Sequence, residues 1–181
     1  AMSELNPRIR HVAIDGGLFQ AEVEAREILS VPTIYINGAV FDAGQTQQHL
    51  RILSGLYGLL RPLDAIQPYR LEMGAQLANA RGRNLYEFWG PRIADALQAQ
   101  ARVAGARELV NLASQEYFRA VAQERLTLAV ITPVFKESRG GTLKIVSFNA
   151  KRARGAMAGF AIRHRLQCAE DLKAFAEEGY R

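Results

Sequence analysis

A change of pattern near residue 45 is what most limits the folds open to this chain. Ahead of it the residues fall in a β-α-β-β order. IRHVAID (9–15) reads as a strand that Gly16-Gly17 breaks. LFQAEVEAREIL (18–29) reads as a helix, with Leu18, Ala21, Ala25, Ile28 and Leu29 on one face and Phe19 and Val23 on a second. TIYIN and AVF flank Asn37-Gly38, a pair that favours a hairpin turn. Behind the change, TQQHLRILSGLYGLL (46–60) reads as partly helical, weakened by Ser54-Gly55 and Gly58. Pro62 and Pro68 bound a loop region.

From there the pattern is more regular. PRIADALQAQARVAG (91–105) is an expected helix: Pro91 suits the first turn, Ile93, Leu97, Ala101 and Ala104 make a stripe, and Gly105 stops it. ELVNLAS is an expected buried strand running into Ser114, the N-cap of QEYFRAVA. LTLAVITPVF and TLKIVSF are expected strands around ESRGG, which reads as a β-hairpin, and NAKRARGAMAGFAIRHRL and AEDLKAFAEE are expected helices. This order predicts an α/β fold: a mixed central sheet with flanking helices, divided as 1–45 and 46–181.

Composition narrows the function. Half the residues are hydrophobic (49%) and 23% are charged, the balance of a soluble globular protein. No apolar run approaches the ~20 residues of a membrane helix, and no leader pattern is visible, so a cytoplasmic location without membrane contact is expected. Cys168 is the single cysteine, which excludes an intrachain disulfide, a dithiol redox pair and a cysteine metal site. The net charge of +5 favours a polyanionic partner.

The cations concentrate on the helix that starts at Asn149. Its apolar stripe is Ala153, Met157, Phe160 and Ala161. Lys151, Arg152 and Arg163 fall on the other side, near Gly155, Ala156 and Gly159, with Arg154 and Arg165 flanking the stripe. Small residues beside cations let a phosphate backbone come close, and arginine grips phosphate with two donors. The competing reading is a solvated basic face whose glycines serve helix packing. A second basic set, Arg51, Arg61, Arg70, Arg81 and Arg83, interleaves with Tyr57, Tyr69, Tyr86 and Trp89. Those aromatics are expected in the core. Arg61 and Arg70 are expected to hold loops through carbonyls, Asp64 or Glu72, and they are also the two that could join a ligand cleft. His11, His49 and His164 show no ligand spacing with Asp64 and Glu72, so no metal and no cofactor is expected. His49 reads as a helix-surface residue, and His164 as lying on the stripe side of its helix.

Two stretches resemble known families. NPRIRHVAIDGGLFQAEVEAREILSVPTIYINGAVF resembles the N-terminal thioredoxin-like domain of the alkyl hydroperoxide reductase flavoprotein subunit. That resemblance implies a cis-proline at Pro32, but with one cysteine the segment has no redox dithiol and reads as a scaffold. SGLYG, LRPLD, QPYRLEMG, NARGRNLYEFWG, NLASQEYF, PVFKE and SFNAKRARGAMAGF together resemble the YaaA family of bacterial peroxide-stress proteins, from about Gln47 to Tyr180. The resemblance implies a protein that binds DNA and limits iron-linked oxidative damage, and it implies no enzymatic reaction. From the cations, the DNA is expected to be double-stranded and held by its phosphates without sequence preference. The resemblance also implies a chain cut at both ends relative to the family, lacking the opening strand motif and a helix-hairpin-helix segment. The phosphate contacts expected from the residues and the resemblance together are Lys151, Arg152, Arg154, Arg163, Arg61 and Arg70. The alternative expectation is a chimera-like, non-catalytic fusion that folds without either parental activity.

Overall fold

The structure, a computed structural model, describes residues 33–37, 49–177 and 179–180. Its centre is a five-stranded sheet in the order β3-β2-β1-β4-β5. The strands are β1 (Thr33–Asn37), β2 (Leu50–Ser54), β3 (Gly58–Leu60), β4 (Glu108–Asn111) and β5 (Ala129–Ile131). β1 runs antiparallel to both β2 and β4, whereas β4 and β5 are parallel, so the sheet is mixed as the sequence predicts. The expected strand over 9–15, the helix over 18–29, Pro32, Gly38 of the expected turn and the strand AVF lie outside the described residues.

Side chains leaving β4 alternate between two cores. Leu109 and Ala113 join a cluster on one face, and Val110 and Leu112 join a cluster on the other. The first face is covered by α1 (Leu85–Trp89) and α2 (Arg92–Ala104), whose Leu85, Trp89, Ile93, Leu97 and Ala101 pack against Leu53 and Leu109. α2 follows its sequence pattern: Pro91 is its N-cap and Gly105 ends it with φ 64°. Leu53, Leu97 and Leu109 are at most 1% exposed, and each such burial is worth about 1.5–3 kcal/mol.

The second face is covered by the helix α4 (Ser147–Arg163), through Ala150, Ala153, Met157, Phe160 and Ala161. Phe160 and Phe135 both meet Phe175 edge-on, with ring centroids 5.6 and 6.2 Å away. Between the two faces in sequence, Ser114 caps the short helix α3 (Gln115–Phe118), accepting from the Tyr117 N–H.

Three expectations change. Residues 50–60 form a β-hairpin, not part of a helix, with Ile52, Leu53 and Ser54 opposite Leu60, Leu59 and Gly58. The hairpin expected at ESRGG forms, but its first strand is ESR itself and not LTLAVITPVF, of which only β5 is strand: β6 (Glu137–Arg139) pairs with β7 (Thr142–Lys144) around Gly140-Gly141, both at positive φ. The last expected helix is a 3-10 turn at Ala169–Ala174.

The β2–β3 hairpin is set by a contact far along the chain. Gly58 has φ 74°, and a Cβ there would lie 2.7 Å from the Trp89 ring. Trp89 Nε1 in turn donates to the Gly55 carbonyl at 3.0 Å. Gly58→Ala is therefore expected to destabilise the fold by about 2–4 kcal/mol, combining overpacking with left-handed strain. Urea unfolding followed by circular dichroism checks it; a loss under about 0.5 kcal/mol would mean the ring moves aside freely.

Candidate nucleic-acid interface

α4 carries Lys151, Arg152, Arg154 and Arg163 and no carboxylate. Because its apolar stripe is pinned to the sheet, Lys151 and Arg152 are turned outward and exposed. Lys151 makes no hydrogen bond or ion pair among the described residues. Gly155, one turn on, is exposed and has nothing within 4 Å of where a Cβ would stand.

Arg152 also lines a cleft of about 630 Å³ between the β6–β7 hairpin and the start of α4. Lys136, Ser138, Asn149 and Tyr180 share that lining. Glu137 is there too, accepting a hydrogen bond from the Tyr180 hydroxyl at 3.2 Å. The positive end of the α4 dipole lies at Ser147, so the first turns add to the field of these cations. Lys136 and Ser138 were not singled out from the sequence; only the hairpin's folding against α4 brings them beside Arg152.

The other expected contacts sit differently. Arg154 is half-buried, with no ion pair among the described residues, and burial pushes its pKa down. Arg163 folds back over Gly159, to within 2.8 Å of where a Cβ would stand. It donates through Nη2 to both carboxylate oxygens of Glu177, at 2.5 and 2.8 Å. Gly159 thus makes room for an ion pair.

The second basic set is mostly engaged within the chain. Arg61 Nε donates to Asp64 at 2.9 Å, with Nη2 at 2.8 Å, and this pairing raises the Arg61 pKa. Arg81 stands over the Phe88 ring at 5.2 Å, and the Arg83 backbone N–H donates to Glu87 at 2.8 Å. Arg51 is buried, donating to Gln100 and to the Leu50 carbonyl. Arg70 is exposed, with no partner among the described residues. As expected from the sequence, Tyr57 and Trp89 are buried, but Tyr86 is only half-buried and Tyr69 is exposed, at the surface end of an edge-on contact with Tyr57 at 5.3 Å. No three His, Cys, Asp or Glu side chains among the described residues stand close enough to hold a metal ion. No helix among them is long and apolar enough to cross a membrane.

The SGLYG and QPYRLEMG stretches converge on one interlock. Ser54 accepts from the Tyr57 N–H at 2.9 Å and bonds the Tyr69 hydroxyl. Tyr57 Oη accepts from Gln67 at 3.2 Å, and Met73 is fully buried beneath the loop. A family model described as "Peroxide stress protein YaaA" matches residues 39–181. The chain belongs to that family. UPF0246 proteins are 59% identical over 141 residues in Burkholderia cenocepacia and 57% identical over 143 residues in Aromatoleum aromaticum. Each alignment covers 77% of this chain, and 54% and 55% of the relative. A UPF0246 protein of Cereibacter sphaeroides is 63% identical over 134 residues, 74% of this chain and 52% of its own length. The chain thus spans about half the length of the family members it matches.

His49 departs from its expected surface place: it is buried, 9% exposed, immediately before β2. Burial, and secondarily the Arg51 cation, lower its pKa. His164 ends α4 exposed, its ring 4.4 Å from that of Phe160 on the stripe. For His49 the unfolded chain takes up a proton below about pH 6.5 that the folded chain resists. Its contribution to stability is therefore full above that pH and is lost as pH falls toward the lower folded value. His49→Gln is expected to flatten the decline of urea midpoints between about pH 7.5 and 5.5; an identical decline in both proteins would assign the acid sensitivity elsewhere.

Proposed function

We propose that this chain is a DNA-binding peroxide-stress protein of the cytoplasm, which limits iron-linked oxidative damage by holding duplex DNA through its phosphates. Lys151 and Arg152 are the main contacts, with Lys136 and Arg154 beside them. The observation that carries the reading is the pair of outward cations on a carboxylate-free helix, bordering a cleft where a further lysine stands. The open surface at Gly155 supports it, since a phosphate strand can lie against a helix there without meeting a side chain. Contacts of this kind carry no base readout, so the reading includes no sequence preference. Arg163, neutralised by Glu177, contributes less than its place on the helix suggests. Membership of a peroxide-stress family supports the physiological setting.

A second reading, a folded core without DNA activity, is favoured by one observation: Arg61 and Arg163, two of the expected phosphate contacts, are each paired with a carboxylate. A mobility-shift titration across salt concentrations separates the two. The expected result is an affinity that falls steeply with salt. Lys151→Gln and Arg152→Gln should each reduce the slope of log affinity against log salt by about 1, equally for unrelated duplex sequences. Absence of salt-sensitive binding below tens of micromolar protein would overturn the DNA reading.

A further inference from the structure

The family match begins at residue 39, yet the strand at the middle of the sheet, Thr33–Asn37, lies ahead of it. We propose that the space between β2 and β4 is a strand-acceptor site in the family-matching part of the chain, and that Thr33–Asn37 is the strand that fills it.

The geometry states what the site requires. β1 pairs Thr33, Ile34 and Tyr35 with Ile52, Arg51 and Leu50 on one side. On the other it pairs Ile34, Tyr35, Ile36 and Asn37 with Asn111, Val110, Leu109 and Glu108. Without it, β2 and β4 stand two strand spacings apart, about 10 Å, too far to bond each other. Their facing N–H and C=O groups would then lack partners between two packed layers. Leu53 and Leu109 are buried in one layer and Val110 in the other, so water cannot reach those groups as it reaches a sheet edge.

β1 runs opposite to both neighbours, so this occupant pairs antiparallel along both its edges. Because a central strand uses both its edges, the occupant must be extended and free of proline over about five residues. Backbone pairing makes the demand general: a β-prone segment is enough, and the sequence TIYIN, rich in β-branched and aromatic residues, is one. The eleven residues 38–48 tether this segment next to β2, so it fills the site at a high effective concentration. The partner class is therefore an extended apolar peptide, supplied here in cis by a segment outside the family match.

The test uses the full chain carrying Ile34→Pro and Ile36→Pro, beside a chain carrying Ile34→Val and Ile36→Val. Amide hydrogen exchange is read at Leu50–Ser54 and Glu108–Asn111, with and without a blocked synthetic peptide spanning 33–37. The valine chain is expected to keep the parent's protection. The proline chain should lose about tenfold or more at both strands and regain it on adding the peptide at millimolar concentration. Unchanged protection in the proline chain would overturn the proposal, because the site would not need an occupant. Lost protection that the peptide does not restore would overturn it as well, because the segment would then act otherwise than as a strand. Recovery with a peptide of the same length that carries proline at the positions of Ile34 and Ile36 would overturn pairing through the backbone.

Discussion

Leu109 and Val110 are adjacent in β4, and each is at most 2% exposed, in opposite cores. A strand buried on both faces has no solvent to fall back on, so its backbone groups must be paired along both edges and its side chains covered from both sides. α2 and α4 are the covers, and their stripes meet the two faces of the same short strand. The basic surface follows from this arrangement. Once the Ala153–Met157–Phe160 stripe is committed to the sheet, Lys151 and Arg152 have nowhere to go but outward.

The family signature plays a different part from that surface. Ser54, Tyr57, Tyr69 and Met73 tie a loop without regular structure onto the β2–β3 hairpin, and Trp89 closes it from α1. Gly74 adds a further tie, donating to the Glu116 carboxylate at 2.8 Å. Polar groups in this region are largely satisfied within the chain, as buried hydroxyls and loop amides must be if the loop is to hold one shape. The motif that identifies the family is thus its structural lock, while the charges suited to a polyanion lie on the opposite layer.

Elements whose signals are local were legible in the residues. The stripe and terminal glycine of α2, the Ser114 cap and the apolar face of α4 all fall where pattern places them. The β2–β3 hairpin was not, because the cause of its turn, Trp89 packed on Gly58, lies some thirty residues away. His49 looked like a polar surface residue for the same reason: what buries it is tertiary. Of the candidate site, Lys151 and Arg152 could be read from helical projection. Lys136 could not, since a hairpin must fold before it and Arg152 share a cleft. The engagement of Arg163 with Glu177 was equally hidden, as fourteen residues and a 3-10 turn separate them.

Trp89 is the single tryptophan of the chain. Its indole is 7% exposed, rests against Gly58 and donates to Gly55, at the joint between the signature loop and the first core. An indole in that position is a built-in optical probe, whose emission depends on whether its N–H has a carbonyl and whether water reaches the ring. The protein therefore carries, without any label, a fluorescent readout of whether the loop that defines its family is seated, separable from signals of the basic helix on the far side of the sheet.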